Sequence, residues 1–539
     1  MREKRLPTVV VVLCFAALCV TWPTHVVAGD WPHWRGPTFN GLAESPPLVE
    51  AFGEGVPKKV WESEPLHDKG DTGHGSVTVV DGRVYTFAYA RFKEPLETRV
   101  LRRGVVEGAG YAPDMPKELF DAVEKARVSE ERRAQKGWDP MRKWVDDWLK
   151  THLKREHRKY RRAVQARLQA GDNALPMDVL AKLDEIKTRT FDNQAAYDAW
   201  LKQSQIDQKH HKAIDRMLVK DKDVSSDVVC CLDAVTGKAL WKKQLDSWWM
   251  WWMASCTPTI VEGRCYVLSS DAKVYCLDAK TGEEIWKSED VCHPRSKGNK
   301  HNRSSSVLII DGVAIVATAG RTAGLDANTG KELWHSDKIK TEYGSAVPWT
   351  AAGKSYAVMV AAGKVWGVEP KTGNIAWSVK GSDGPTPTIV GDRMAVPCAN
   401  KGGLTLYAMT DAEPEVLWSV PFLDLFSAPI FHDGHVYAFG EAYSRRGKGR
   451  ALCVNIASGK VVWSEMLKSE HQHSSPVLAD GKLMSVGGPT LYLVKATPEK
   501  YTELGKLRLG LDKYSSVSFA DGKVYLRTGR SVVCYDLSK

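Results

Sequence analysis

The sequence predicts an all-β protein, an eight-bladed β-propeller with a mainly helical insertion in its first blade. Three observations predict it. Short alternating apolar strands recur at a near-constant step, a turn signal opens each unit, and a tryptophan closes most of them. With 539 residues, 43% hydrophobic and 26% charged, the composition is that of a globular protein, not a collagen-like, disordered or disulfide-knotted chain. The formal net charge of +10 is too dilute over this length to imply nucleic acid.

Residues 1–28 read as a secretory signal: Arg2, Lys4 and Arg5 precede the apolar run Val9 to Val20, and Val26-Val27-Ala28 offers a cleavage site. The run stops at Thr21-Trp22-Pro23, short of a membrane span. The expectation is a periplasmic or secreted monomer with no transmembrane anchor after cleavage. Residues 29–57 form a lead-in and 58–539 the propeller.

Asp233-Ala-Val-Thr-Gly-Lys-Ala-Leu-Trp241 returns from Asp278 to Trp286 and from Asp326 to Trp334, with looser copies ending at Trp377, Trp418 and Trp463. Turn signals stand at Asp81, Glu262, Asp311, Ala352, Gly391, Asp433, Asp480 and Asp521; from the second onward the steps are 49, 41, 39, 42, 47 and 41 residues. A blade cannot bury both faces alone, so a large side chain at a fixed position must fill the wedge against its neighbour. Thr-Gly supplies the tight turn before it. Four residues before each turn stand Val77, Pro258, Val307, Pro348, Pro387, Pro429, Pro476 and Val517. Proline cannot donate to a ladder, so this register marks an edge strand lining a central channel. The last blade lacks its outer strand, and Lys58-Lys59-Val60-Trp61 is expected to supply it and close the ring.

These repeats, with the opening Asp30-Trp31-Pro32-His33-Trp34-Arg35-Gly36-Pro37, resemble the PQQ-like β-propeller family, which includes quinoprotein dehydrogenases and the outer-membrane assembly factor BamB. The resemblance covers the mature chain apart from one insertion. It implies the fold, and two functions: loop-mediated binding of proteins, or alcohol oxidation with PQQ and calcium.

The insertion occupies residues 91–227, which hold 30 Lys+Arg and 24 Asp+Glu. Leu149, Leu153, Tyr160, Val164 and Leu168 follow helical spacing, with a start at Asp139-Pro140 and a stop at Gly171-Asp172-Asn173. Its densest basic run, Lys150 to Arg167, reads either as a solvated helix face or as a grip for an anionic glycan, lipid headgroups or an acidic partner.

Cys230-Cys231 invites comparison with the vicinal disulfide that the resemblance implies for quinoprotein alcohol dehydrogenases. Yet Cys231, Cys276, Cys453 and Cys534 share a repeat position with Gly324, Gly367 and Ala408, so the slot wants a small residue. Cys265 and Cys276, on consecutive strands, are expected to sit nearly opposite, within reach of a cross-strand disulfide.

Ser247-Trp-Trp-Met-Trp-Trp-Met253 joins blade one to blade two; Trp248, Trp249, Trp251 and Trp252 read as a hydrophobic plug or as an aromatic platform for a planar ligand. Residues just before the innermost strands, His74, Arg303, Tyr343, Asp383, His473 and Tyr514, are expected to ring the channel mouth on the same face. His293, Arg295, His301 and His471 lie nearby in sequence. The opposite face receives the short turns, which offer little side-chain chemistry. No nucleophile motif, paired carboxylates or strong metal spacing is found, so no catalytic residue, metal ligand or cofactor is assigned. The sequence favours a non-catalytic binding or scaffold module for an envelope protein or an anionic glycan. A PQQ-dependent dehydrogenase and a His-based hydrolase or lyase at the mouth are the alternatives.

Overall fold

The computed structural model describes residues 29–70, 73–250, 254–292, 304–341, 343–382, 385–398, 403–410, 412–422, 426–441, 448–469, 474–509 and 515–539. The expected signal, residues 1–28, lies outside them. The chain divides into two compact units, residues 1–91 with 225–539, and residues 92–224.

The first unit is a β-propeller. Among the described residues eight antiparallel sheets follow one another; in six of them four consecutive strands pair in chain order or its reverse. Blade one keeps that order around the insertion, whose short strand Thr190–Phe191 pairs with Arg99 and Val100. In the eighth, Lys58–Glu62 pairs with Val532–Asp536, setting Trp61 opposite Cys534, so the lead-in side of the chain completes the last blade. The expected closing strand is the observed one. The innermost strands, Val77–Val80 in blade one and Val347–Ala351 in blade four among them, sit at the sheet edge, as the prolines require.

Two contacts repeat between blades, and both explain sequence. The first is the tryptophan dock. Trp286 donates its indole N–H to Ala327 O of the next blade at 3.1 Å, and Trp61, Trp241 and Trp418 do the same to Ala234, Ala279 and Ile456 at 2.8, 3.2 and 2.7 Å. Beneath each ring lies the glycine of the neighbour's turn. Gly330 has φ +73°, and a Cβ there would meet the Trp286 ring at 2.4 Å, so glycine is required both for the turn and for the dock.

The second contact is a collar of hydroxyls at the small-residue start of each repeat. The backbone N–H of Ser76 donates to Thr257 Oγ1 at 3.0 Å, that of Thr257 to Ser306 Oγ at 3.1 Å, and that of Ser306 to Ser345 Oγ at 2.9 Å. Ser345 continues to Thr386 Oγ1 at 3.0 Å, and Ser475 to Ser516 Oγ at 3.0 Å; Ser516 returns to Ser76 Oγ at 3.2 Å. A short side chain with an acceptor oxygen is what lets edge N–H groups of adjacent sheets be satisfied at close approach.

The lead-in does what its irregular sequence did not announce. Trp31 exchanges backbone hydrogen bonds with Val79 of blade one at 2.6 and 2.9 Å, and Pro32 O accepts from Ile260 of blade two at 2.9 Å. Arg35, buried, donates to Ala428 O at 2.8 Å and Pro429 O at 2.9 Å in blade six. Phe39 packs against the cores that hold Leu308 and Val347, and Gly41 and Ala43 pair with Leu478 of blade seven. Eleven residues that touch blades one, two, three, four, six and seven must cross the channel axis, and so they plug it. The face of the short turns is therefore not bare of side-chain chemistry, because the lead-in enters there beside Asp81, whose N–H donates to Asp30 Oδ1 at 3.3 Å. Further on, the backbone and Cβ of Phe52 lie against Gly505, which holds the tryptophan slot of blade seven opposite Leu493.

Burial of the plug shifts its titrations. The Arg35 guanidinium, with three hydrogen bonds to carbonyls and no ion pair among the described residues, is pushed down to about 9 by burial and stays charged at neutral pH. His33, stacked on Phe39 at 4.4 Å between ring centroids, has a buried Nδ1 without a hydrogen-bond partner among the described residues, and desolvation lowers its pKa to about 4. Because the folded value lies below the ordinary 6.5, this group's contribution to stability is intact above pH 6.5 and is lost as pH falls towards 4. The loss should reach up to about 3 kcal/mol. Chemical denaturation at stepped pH should show it, and His33→Gln should flatten that part of the profile.

The second unit is mainly helical. Trp138–His152, Arg161–Ala170 and Lys117–Arg127 bury one core around Val123, Val145, Leu149, Tyr160, Val164 and Leu168. The predicted stripe is thus shared by two helices with a 3-10 turn, Arg155–Tyr160, between them, and Gly171 at φ +59° ends the second. A second core gathers Leu180, Leu183, Phe191, Tyr197 and Ile214. The basic run is half neutralised within the unit: Lys150, Lys159 and Arg167 pair with Asp147, Asp114 and Glu124 at 3.0, 2.8 and 2.5 Å, and Arg161 approaches Asp146 at 3.9 Å.

Candidate functional site

Loops that precede the innermost strands converge on one end of the propeller's channel. Of the residues predicted to ring that mouth, His74 and Tyr343 are described; Arg303, Asp383, His473 and Tyr514 lie outside the described residues, as do Trp251, Trp252, His293, Arg295, His301 and His471. Tyr343 of blade four meets Phe426 of blade six edge-on, with ring centroids 4.7 Å apart. These blades are not neighbours, so both rings must lean in over the channel. Phe426 was not anticipated, although it stands two residues before Ala428, the offset that Tyr343 keeps from Ser345.

The tryptophan loop is held from below. Trp248 N–H donates to Ser270 Oγ at 2.8 Å, and Ser270 in turn donates from its N–H and hydroxyl to the buried Asp227 carboxylate at 2.6 and 2.9 Å. Tyr89 donates its hydroxyl to Trp248 O at 3.2 Å and accepts from Met250 N–H at 2.7 Å. Burial pushes the Tyr89 pKa up to about 12, so the phenol keeps its proton across the physiological range. Met250 is buried as the anchor, while Trp248 remains 48% exposed and Trp249 half-buried. A pinned backbone presenting an open indole is a preorganised aromatic surface. Beside the mouth, Arg527 is buried and donates to Gly75 O at 2.8 Å and Phe87 O at 2.9 Å, fixing the turn that carries His74. No repeat signal marks Arg527, and sequence reasoning passed over it.

The cysteines are packing residues. Cys230 and Cys231 are free, buried and adjacent on one strand, so their side chains leave opposite faces. Cys231 lies opposite Trp241, as Gly324 lies opposite Trp334, where a Cβ would already meet the indole at 2.3 Å. Burial pushes the Cys231 thiol up to about 12 and that of Cys276 to about 11, which keeps both protonated and inert. The expected cross-strand placement of Cys265 and Cys276 is corrected. Cys265 pairs with Leu277 and Cys276 with Tyr266, so the two thiols point to opposite faces of the sheet and both are free. Among the described residues, no group of three or more His, Cys, Asp or Glu is placed to hold a metal ion.

Tryptophan docks, the closing strand and the blade order together define a β-propeller built of PQQ-like repeats. The family profile described as outer membrane protein assembly factor BamB matches residues 207–348 and 405–536, half of the chain, and the chain belongs to this family. No curated protein matches it. Among solved structures it is similar to BamB from Moraxella catarrhalis, at 15% identity over 57% of this chain and 88% of that one, with a TM-score of 0.46. It is also similar to the quinohemoprotein alcohol dehydrogenase ADHIIG from Pseudomonas putida HK5, at 11% identity over 58% and 72% of the two chains, with a TM-score of 0.42. A europium-containing methanol dehydrogenase aligns at 11% identity over 94% and 91%, with a TM-score of 0.42.

Proposed function

We propose that the protein is an exported, non-catalytic propeller that binds an envelope protein or a glycan through the face bearing the Trp248–Trp252 loop. One observation carries the reading: the exposed Trp248 indole stands on a backbone fixed by Tyr89 and Ser270. Fixed aromatic surface with polar groups close by is the usual make-up of a recognition site. Membership of the BamB family favours a protein partner. Export rests on the residues of the first 28 positions. Among the described residues no helix is long and apolar enough to cross a membrane.

The test is retention of partners from solubilised envelope extract on the immobilised protein, run beside a glycan array. Trp249→Ala combined with His74→Ala should weaken whatever is retained by about tenfold or more. Unchanged retention would remove this face from the proposal. Dye-linked alcohol oxidation that appears only with added PQQ and Ca²⁺ would replace it with the dehydrogenase reading.

A further inference from the structure

The second unit carries an open surface groove that the propeller face does not explain. It measures about 530 Å³ and is lined by Gln135, Asp139, Pro140, Lys143, Trp144 and Asp147. All but Gln135 lie on the helix Trp138–His152, and the helical period explains the lining. Asp139, Lys143 and Asp147 are four residues apart and form one polar row, and Pro140 and Trp144 form the apolar row beside it. The other side of the helix, through Met141, Val145 and Leu149, is buried in the core, so the lining rows are held in place.

The polar groups of the groove are largely solvent-exposed and uncommitted. Asp139 and Lys143, opposite charges at i and i+4, make no ion pair or hydrogen bond among the described residues. Asp147 uses only Oδ1, towards Lys150 at 3.0 Å, and Gln135 spends its amide N–H₂ on Glu131 O at 2.9 Å, which leaves Oε1 as an acceptor. The site therefore offers carboxylate and amide oxygens as acceptors, one ammonium as donor, and an indole with a proline ring as a flat apolar wall.

We infer that this open groove binds a neutral pyranose residue of a glycan. A pyranose has one face of axial C–H bonds, suited to the Trp144 ring and Pro140, and a rim of hydroxyl groups that donate to carboxylates and accept from an ammonium. The carboxylates on either side of Lys143 disfavour both alternatives in charge. An anionic sugar would meet Asp139 and Asp147, and a cationic group would meet Lys143. The inference is independent of the propeller face proposed above, because its residues lie wholly in the other unit.

Isothermal titration of the protein with cellohexaose, mannohexaose and chitohexaose, with polygalacturonate as the anionic probe, tests it. At least one neutral hexasaccharide should bind and polygalacturonate should not. Asp139→Ala and Trp144→Ala should each weaken that binding by about tenfold or more, and Trp144→Phe by less. Asp139 is exposed and outside the core, so its variant reads binding even where Trp144→Ala disturbs the fold. Trp249→Ala should leave the titration unchanged, which separates this site from the propeller face. Failure of all three neutral probes, binding of polygalacturonate in their place, or wild-type affinity in both Asp139→Ala and Trp144→Phe would overturn the inference.

Discussion

Trp286→Ala should cost the propeller about 3–5 kcal/mol in chemical denaturation. The indole is 8% exposed and wedged between blades two and three, with Cys276 on its own sheet, the Tyr266 ring 5.9 Å away and Gly330 of the next blade against its face. None of these can collapse into the space it would leave: the strands are fixed by their ladders, and Gly330 has no side chain to extend. The hydrogen bond is the smaller part of the effect. Ala327 O also accepts from Tyr266 Oη at 3.2 Å and Arg264 Nη1 at 3.2 Å, so it is not orphaned when the indole goes. Trp286→Phe should consequently recover much of the loss, since it restores ring volume without the donor. Trp138→Ala, at an indole 62% exposed, should stay within about 0.5 kcal/mol. A loss below about 1 kcal/mol at Trp286 would mean that the blades pack without the wedge.

Where one residue answers to one repeating environment, its role was legible. Asp278-x-x-Thr-Gly-x-x-x-Trp286 could be read because its parts serve neighbouring needs: Asp278 Oδ1 accepts from Thr281 N–H at 2.7 Å to close the turn, Gly282 lies under Trp241, and Trp286 lies over Gly330. The slot of Cys231 and the closing role of Trp61 followed from the same period. The placing of Ala408 in that slot is corrected: it pairs with Glu415, and the larger Leu406 lies opposite Trp418, because blade five lacks the Thr-Gly turn that fixes the count. The lead-in was illegible for the opposite reason. Trp31, Arg35, Phe39 and Phe52 each answer to a different blade, so no spacing relates them. Cys265 and Cys276 failed by a single residue. The connection through Ser270 bends at Ala272, φ +62°, and this sets the pairing one step away from the symmetric count, which turns one thiol to the other face. At the mouth, Tyr343 carries a polar hydroxyl at its offset from the innermost strand and reads as a channel residue, whereas Phe426 at the same offset before Ala428 reads as an ordinary apolar loop residue.

Deleting residues 29–62 should abolish the cooperative unfolding transition of the propeller, and grafting Lys58–Glu62 behind Lys539 through a short flexible linker should restore it in part. The closing strand joins the last blade by the contact that joins the others: Trp61 is 7% exposed, donates to Ala234 O at 2.8 Å, and sits where a Cβ on Gly237 would meet it at 2.5 Å. Its removal costs a buried tryptophan, the pairing with Val532–Asp536, and the wedge between blades eight and one, together more than about 5 kcal/mol, comparable with the whole stability of a typical domain. It also bares Val532–Asp536 as an unpaired edge, a template for association between chains. The graft returns the strand and its tryptophan but not the axial plug, since Trp31, Arg35 and Gly41 remain absent. It should therefore recover solubility and a single transition at a lower midpoint than the intact chain. A second deletion, residues 29–57 alone, should reproduce the grafted protein's midpoint, because both then lack the plug, the Phe52 contact on Gly505, and the buried Leu48 with its pairing of Leu48 and Val49 to Leu537 and Ser538. If removal of residues 29–62 leaves the transition where it was, neither the strand nor the plug holds the ring, and the hydroxyl collar from Ser76 through Ser516 must do so without them.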